Sequence, residues 1–244
     1  MRKGNFFLWI SCLLMAAVFW TQSFAAAPFS SENKSKPQIE ELLFAQFQDW
    51  ARKGDTSAFA QYIVKIQQVR AQSSLRCEAG TVLVSHLQIS SPVCASGQAL
   101  LYADAFGNNL LHSAKDAATV RAVDALFFIF FSEENSPINR LKNEKNSSRE
   151  TPLVAHLNRG NLDCFYPLYE GSRLEKAIKA RANIGQDPSN LLFFSSREIL
   201  EREILEWGAN AAGTNILSLV EQQPDSPERS DLLRFLMKNA PFLL

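Results

Sequence analysis

The stretch Asp104-Ala-Phe-Gly107-Asn-Asn109-Leu110-Leu111-His112-Ser-Ala114 decides how this chain is read. Gly107 marks a turn, because a residue without Cβ accepts positive φ cheaply. Asn109 can cap a helix that Leu110 and Leu111 open. A second helix follows, with Val120, Val123, Leu126 and Phe127 on one face. The same order returns downstream. Thr151-Pro152-Leu153 starts a helix, the Thr hydroxyl capping it and Pro standing where a missing N–H costs nothing. Gly160-Asn-Leu162-Asp163 then turns the chain, and Cys164, Phe165 and Leu168 take the apolar places of the next helix.

These features resemble the ankyrin repeat, whose turn and first helix carry an Asp, a Gly and then T-P-L-H-x-A. Asp104, Gly107, Leu111, His112 and Ala114 match, while Asn109 and Leu110 replace the Thr and Pro. The second copy restores Thr151-Pro152-Leu153 but has Val154 at the His position, so His156 is out of register. Outer copies are more diverged. Asn190-Leu-Leu192-Phe193-Phe194-Ser195 fills the same slot and leads into Ile204-Leu-Glu-Trp207-Gly208-Ala-Asn210, which is similar to the L-L-E-x-G-A-D ending. A last copy runs from Asn215-Ile216-Leu217 to Ala240, and Asp49 to Asp55, followed by Phe59 and Tyr62, is similar to half of a capping repeat. Gly80 to Ser85 opens a weaker copy. The motif leucines Leu83, Leu111, Leu153, Leu192 and Leu217 are 28, 42, 39 and 25 apart, a mean of about 33, the ankyrin period. The scatter places insertions around Asn143 to Arg149 and Lys176 to Pro188. The fold expected is all-α: an ankyrin-like helical repeat solenoid over 39–244, about five repeats with diverged caps. Each helix pair exposes an apolar face that only a neighbour can bury.

The N-terminus reads as an export signal. Arg2 and Lys3 precede an apolar run from Phe6 to Trp20, and Ser23-Phe24-Ala25 has small residues at the −3 and −1 positions of a cleavage site. The alternative is an uncleaved anchor, but the run is short against the roughly 20 residues of a membrane span. Cys12 lies inside the run, which disfavours a lipoprotein site. Residues 1–25 are therefore expected to be a signal peptide and 26–38 a flexible linker, with a periplasmic mature chain that has no membrane contact. Three cysteines remain, Cys77, Cys94 and Cys164. Either Cys77 and Cys94 form a bridge, closing a short loop worth on the order of 3 kcal/mol, or all three are free. Cys164 sits at an apolar helix position and reads as a buried small hydrophobe.

The search for chemistry returns little. There is no G-x-S-x-G elbow, phosphate loop, H-E-x-x-H or Cys-x-x-Cys. The histidines, His86, His112 and His156, are scattered, and the resemblance assigns His112 a structural bond to a neighbouring loop. Neither an enzyme, a cofactor nor a metal is expected. With 25 basic and 25 acidic residues and no basic stripe, nucleic acid is not expected as a partner.

The resemblance instead implies protein binding through turn tips and first helices along a concave side. The candidates are Asp104, Phe106, Asn108 and Asn109 at one tip, and Ser113, Lys115 and Asp116 on the helix after it. Arg140, Lys142, Lys145 and Arg149 lie in a loop that is either a contact surface or a solvated connector. Of Phe193 and Phe194, one is expected to pack inward and the other to stand exposed. The run Phe127 to Phe131 is either core or interface. Export combined with such repeats is similar to bacterial periplasmic proteins of the inhibitor and immunity type, including self-protection proteins that block their own peptidoglycan endopeptidases. The expected partner is thus a periplasmic protein, a peptidoglycan-active enzyme that the chain inhibits. A scaffold for another envelope process and a secreted effector acting on a host protein are the alternatives.

Overall fold

Helices arranged in pairs make up most of the described residues. The computed structural model describes residues 36–72, 81–84, 93–131, 136–184 and 193–243. Two long helices come first, α1 (Lys36–Lys53) and α2 (Thr56–Gln72), then a hairpin of β1 (Thr81–Val84) and β2 (Val93–Ser96) and a 3-10 turn at Gly97–Leu101. The next pair is α3 (Leu110–Ser113) and α4 (Ala117–Phe130), followed by the single turn α5 (Ile138–Leu141). Then come α6 (Pro152–Asn158), a 3-10 turn at Leu162–Cys164 and α7 (Phe165–Tyr169). The chain continues with α8 (Arg173–Ile184), α9 (Phe193–Gly208), α10 (Ile216–Glu221) and α11 (Pro227–Asn239).

The pairs stack in two rows. First helices pack α1 on α3, α3 on α6 and α6 on α10. Second helices pack α2 on α4 and α4 on α7, and Phe235 of α11 meets the rings of Phe165, Tyr166 and Tyr169 at 5.8, 5.6 and 5.5 Å. The apolar faces merge into one core from Ile39 to Leu243. No pair has a private core, because each pair exposes an apolar face that only its neighbour buries.

The described residues are mostly helical, as expected, but several details differ from the sequence reading. Gly80 to Ser85 does not open a helix pair: Thr81–Val84 is a strand, antiparallel to β2 in the register Thr81↔Ser96 to Val84↔Val93. Its β-branched residues suit a pleated strand better than a helix. Among the described residues, the pairs α1/α2, α3/α4, α6/α7 and α10/α11 stack directly. Lys176–Ile184 belongs to α8 rather than to a loop, and α9 runs unbroken from Phe193. Since α6 packs directly on α10, the pair α8/α9 stands beside the stack and not within it. Arg181 ties the two together, donating to Glu201 Oε1 from Nε at 3.0 Å and from Nη2 at 2.8 Å. Of the expected linker, Lys36–Gln38 already belong to α1, where Pro37 is tolerated in the first turn.

The expected signal peptide, the rest of the linker and a Cys77–Cys94 bridge lie outside the described residues. Cys164 is buried and free, and burial pushes its thiol up to about 12. It is an inert core residue. In the Phe127 to Phe131 run, Phe127 and Phe130 are core, Ile129 and Phe131 pack against it, and Phe128 is exposed. Among the described residues, no helix is long and apolar enough to cross a membrane.

Asn109 shows how tightly the pairs are joined. It is fully buried, accepts from the N–H groups of Leu111 and His112, and donates to the Leu141 carbonyl at 3.0 Å. Asn109→Ala is expected to cost about 2 kcal/mol, because it strands buried backbone groups as well as removing a cap. A lowered urea midpoint at unchanged slope would register it, and a shift below about 0.5 kcal/mol would contradict the role.

Candidate functional site

Three turns precede first helices, and they are built alike. At Asp104, Asn146 and Asn210 a short side chain accepts from the backbone two and four residues on. Asp104 Oδ1 takes Phe106 and Asn108 N–H, both at 2.9 Å. Asn146 Oδ1 takes Ser148 at 3.0 Å and Glu150 at 3.1 Å, and Asn210 Oδ1 takes Ala212 and Thr214, both at 3.0 Å. Asp and Asn favour such turns because their acceptor reaches their own backbone. The fourth residue then donates back to the first carbonyl, at 2.8, 2.8 and 2.9 Å, with a positive φ: Gly107 at 75°, Arg149 at 61° and Gly213 at 80°. Two residues after that, Asn109, Thr151 and Asn215 cap the helices.

The loop expected as an insertion at Asn143 to Arg149 thus contains one of these turns. Its signal was present in sequence: Asn146-x-x-Arg149-x-Thr151 repeats the spacing of Asp104-x-x-Gly107-x-Asn109. Arg at the Gly position concealed it.

The Asp104 and Asn146 turns are joined edge to edge. The Phe106 carbonyl accepts from the backbone N–H and the hydroxyl of Ser147, both at 2.8 Å, and Asn108 Oδ1 accepts from Asn146 Nδ2 at 3.1 Å. A Cβ at Gly107 would stand 3.1 Å from Ser147 N and 3.2 Å from Asn146 Cα, so this approach needs Gly. His112 reaches from one pair to the next. Its Nε2 lies 3.0 Å from the Glu150 carbonyl, and its Nδ1 lies 2.9 Å from Asn109 Oδ1 and 3.3 Å from the Asn109 backbone N. Burial lowers its pKa to about 4, leaving the ring neutral. His156, fully buried, donates from Nε2 to the Leu111 carbonyl at 2.9 Å, and its Nδ1 faces Asn161 Nδ2 at 3.3 Å. Burial, followed by the Arg159 charge, lowers it to about 4 as well.

Between these turns and the first helices lies a cleft of about 310 Å³. Arg52 and Arg159 bring cations to it, Glu150 an acid, and Asn108, Asn146 and Asn158 amides. Arg52 pairs with Asp104 at 3.0 Å. Burial raises the Asp104 pKa, but the backbone N–H groups of Asn108 and Phe106 outweigh this and hold it below its ordinary value. Arg159 donates to the His112 carbonyl at 2.7 Å and the Ala155 carbonyl at 3.1 Å. The Asn158 amide bonds Glu150 Oε1. His112 has both nitrogens engaged, and the lining offers hydrogen bonding and charge.

The sequence candidates divide sharply. Asn108 lines the cleft, Asp104 holds Arg52 beside it, and Ser113 lines it while accepting from Gln48 Nε2 at 3.1 Å. Phe106 and Arg149 stand exposed on adjacent turns. Asn109 is no contact residue, being buried within the stack. Lys142 is likewise buried at 7% exposure, donates to the Glu170 carbonyl at 2.9 Å and lies 4.0 Å from Asp124. Neither could reach a partner, because a neighbouring pair covers what a single helix would expose. Lys115 and Asp116 fall in the turn after α3, where Lys115 N–H donates to the Ala51 carbonyl and Asp116 caps α4. Arg140 is exposed and paired with Glu144. Lys145 pairs with Glu206 at 3.6 Å and lies 4.7 Å from the Trp207 ring centroid, so it fastens α9 to the stack. Phe193 and Phe194 open α9, and their side chains lie outside the described residues. Sequence reasoning missed Arg52, Asn146, Glu150, Asn158 and Arg159, because assembling them needs three helix pairs side by side.

No family model, no curated protein and no solved structure matches this chain.

Proposed function

We propose that this chain is a non-enzymatic, protein-binding module of ankyrin-type repeats, which binds and inhibits a peptidoglycan hydrolase or endopeptidase in the periplasm. The observation that carries the binding reading is the recurrence of one turn geometry at Asp104, Asn146 and Asn210, each ahead of a capped first helix. Repeated turns in register present an extended recognition edge, with the polar cleft beside it. The His112 bond to the Glu150 carbonyl also has the form that the ankyrin resemblance implies. The compartment rests on the sequence of residues 1–25, and the enzyme class rests on the likeness in architecture to periplasmic inhibitor and immunity proteins.

The test is a pull-down from periplasmic extract with the chain lacking residues 1–25, followed by a peptidoglycan-digestion assay of whatever binds. The expected result is a wall hydrolase whose activity falls in proportion to added protein. A bound enzyme with undiminished activity would replace inhibition with a scaffold role. Accumulation of the protein in culture supernatant would move the target outside the cell.

A further inference from the structure

Phe106 is the most exposed large apolar residue among the described ones, at 69%. Its backbone is nonetheless fastened on both sides, the N–H to Asp104 Oδ1 and the carbonyl to Ser147. A ring carried on a fixed backbone has less chain freedom to lose on binding. Arg149 stands on the adjoining turn at φ 61°, and it is the only non-Gly residue at positive φ among the described residues. The equivalent positions are Gly107 and Gly213, which hold the same turn without a Cβ clash. Its guanidinium makes no hydrogen bond or ion pair among the described residues. The hydrogen bonds of the Asn146 turn hold its backbone at that left-handed φ, and residues held in this way gather at binding sites.

We infer that Phe106 and Arg149 form a two-residue anchor for a protein partner that presents an apolar pocket with a carboxylate at its rim. Aromatic rings and arginines dominate binding hot spots. The ring calls for an apolar pocket, and a guanidinium lacking a counter-ion is matched by a carboxylate in bidentate geometry. The inference rests on the reading of the chain as a protein-binding module, but not on the partner being a wall hydrolase.

The experiment uses the full chain with a C-terminal tag, expressed in the source bacterium and recovered from the periplasm with the protein it holds. That protein is identified, purified and titrated against wild type, Phe106→Ala, Arg149→Gly and the control Arg234→Ala. Phe106→Ala and Arg149→Gly are each expected to weaken Kd by about 10- to 30-fold, with Arg234→Ala unchanged. Arg149→Gly is also expected to raise Tm by about 2 °C through relief of the left-handed strain. Higher stability with weaker binding is a combination that a purely structural arginine cannot give. Charge reversal of the partner's rim carboxylate to Lys should rescue Arg149→Glu. Binding within twofold of wild type for both anchor variants overturns the inference, as does a lowered Tm in Arg149→Gly. Retention of no partner overturns it together with the binding reading. A partner of another class, lost in both variants, supports the anchor and removes the hydrolase assignment.

Discussion

Phe47→Ala is expected to destabilise the protein by about 4 kcal/mol, as a large cavity opens in a core that cannot collapse around it. Phe47 is fully buried, with ring centroids of Tyr62, Trp50 and Phe59 at 5.0, 5.6 and 6.3 Å. These four rings weld α1 to α2 and form the foundation on which α3 and α4 stack. For a chain of this length the loss corresponds to a Tm about 10 °C lower. Differential scanning calorimetry gives the shift, and hydrogen exchange should show protection lost first in α1 and α2. A Tm change under about 3 °C would mean that the first pair is dispensable to the stack.

Acidification is expected to have the second large effect, and its sign can be worked out group by group. Burial depresses the folded-state pKa of both His112 and His156 from 6.5 to about 4. Their neutral forms support the fold, so that support is complete above about pH 6.5 and is lost as pH falls toward 4. Each withdraws about 3 kcal/mol over that window. Asp124 acts in the opposite sense. Burial raises it to about 6 against the attraction of Lys142, and its Oδ1 is buried without a hydrogen-bond partner among the described residues. Its support is complete below about pH 3.8 and is lost as pH rises through 6, which offsets about one histidine. The net expectation is a loss of about 3 kcal/mol between pH 7 and 4, measured as a fall in urea midpoint. In His156→Gln, whose amide can still donate to the Leu111 carbonyl, the profile should become nearly flat. An unchanged pH slope in that variant would show that His156 does not drive the effect.

Much of the local structure was legible in the sequence because its causes lie within a few residues of one another. Asn109, Thr151 and Asn215 cap helices through side-chain oxygens that reach the backbone two or three positions ahead. Gly107 and Gly160 take left-handed turns that most side chains disfavour. Val120, Val123, Leu126 and Phe127 repeat at helical spacing and all lie in the core.

Longer-range features were settled by the tertiary structure alone. Arg149 occupies a left-handed turn that no local propensity favours, because the hydrogen bonds of Asn146 and the neighbouring turn hold it there. Lys142 reads in sequence as one more surface cation, yet Glu170 and Asp124 enclose it. The motif leucines count the Leu192 segment as a repeat following the Leu153 one, with an insertion between them, whereas α6 packs directly on α10 and sets α8 and α9 to one side. Capping, turn and helix-face preferences are local energies written residue by residue. The order of stacking, and therefore which polar groups are buried and which face a partner, depends on apolar faces that meet only when distant segments come together.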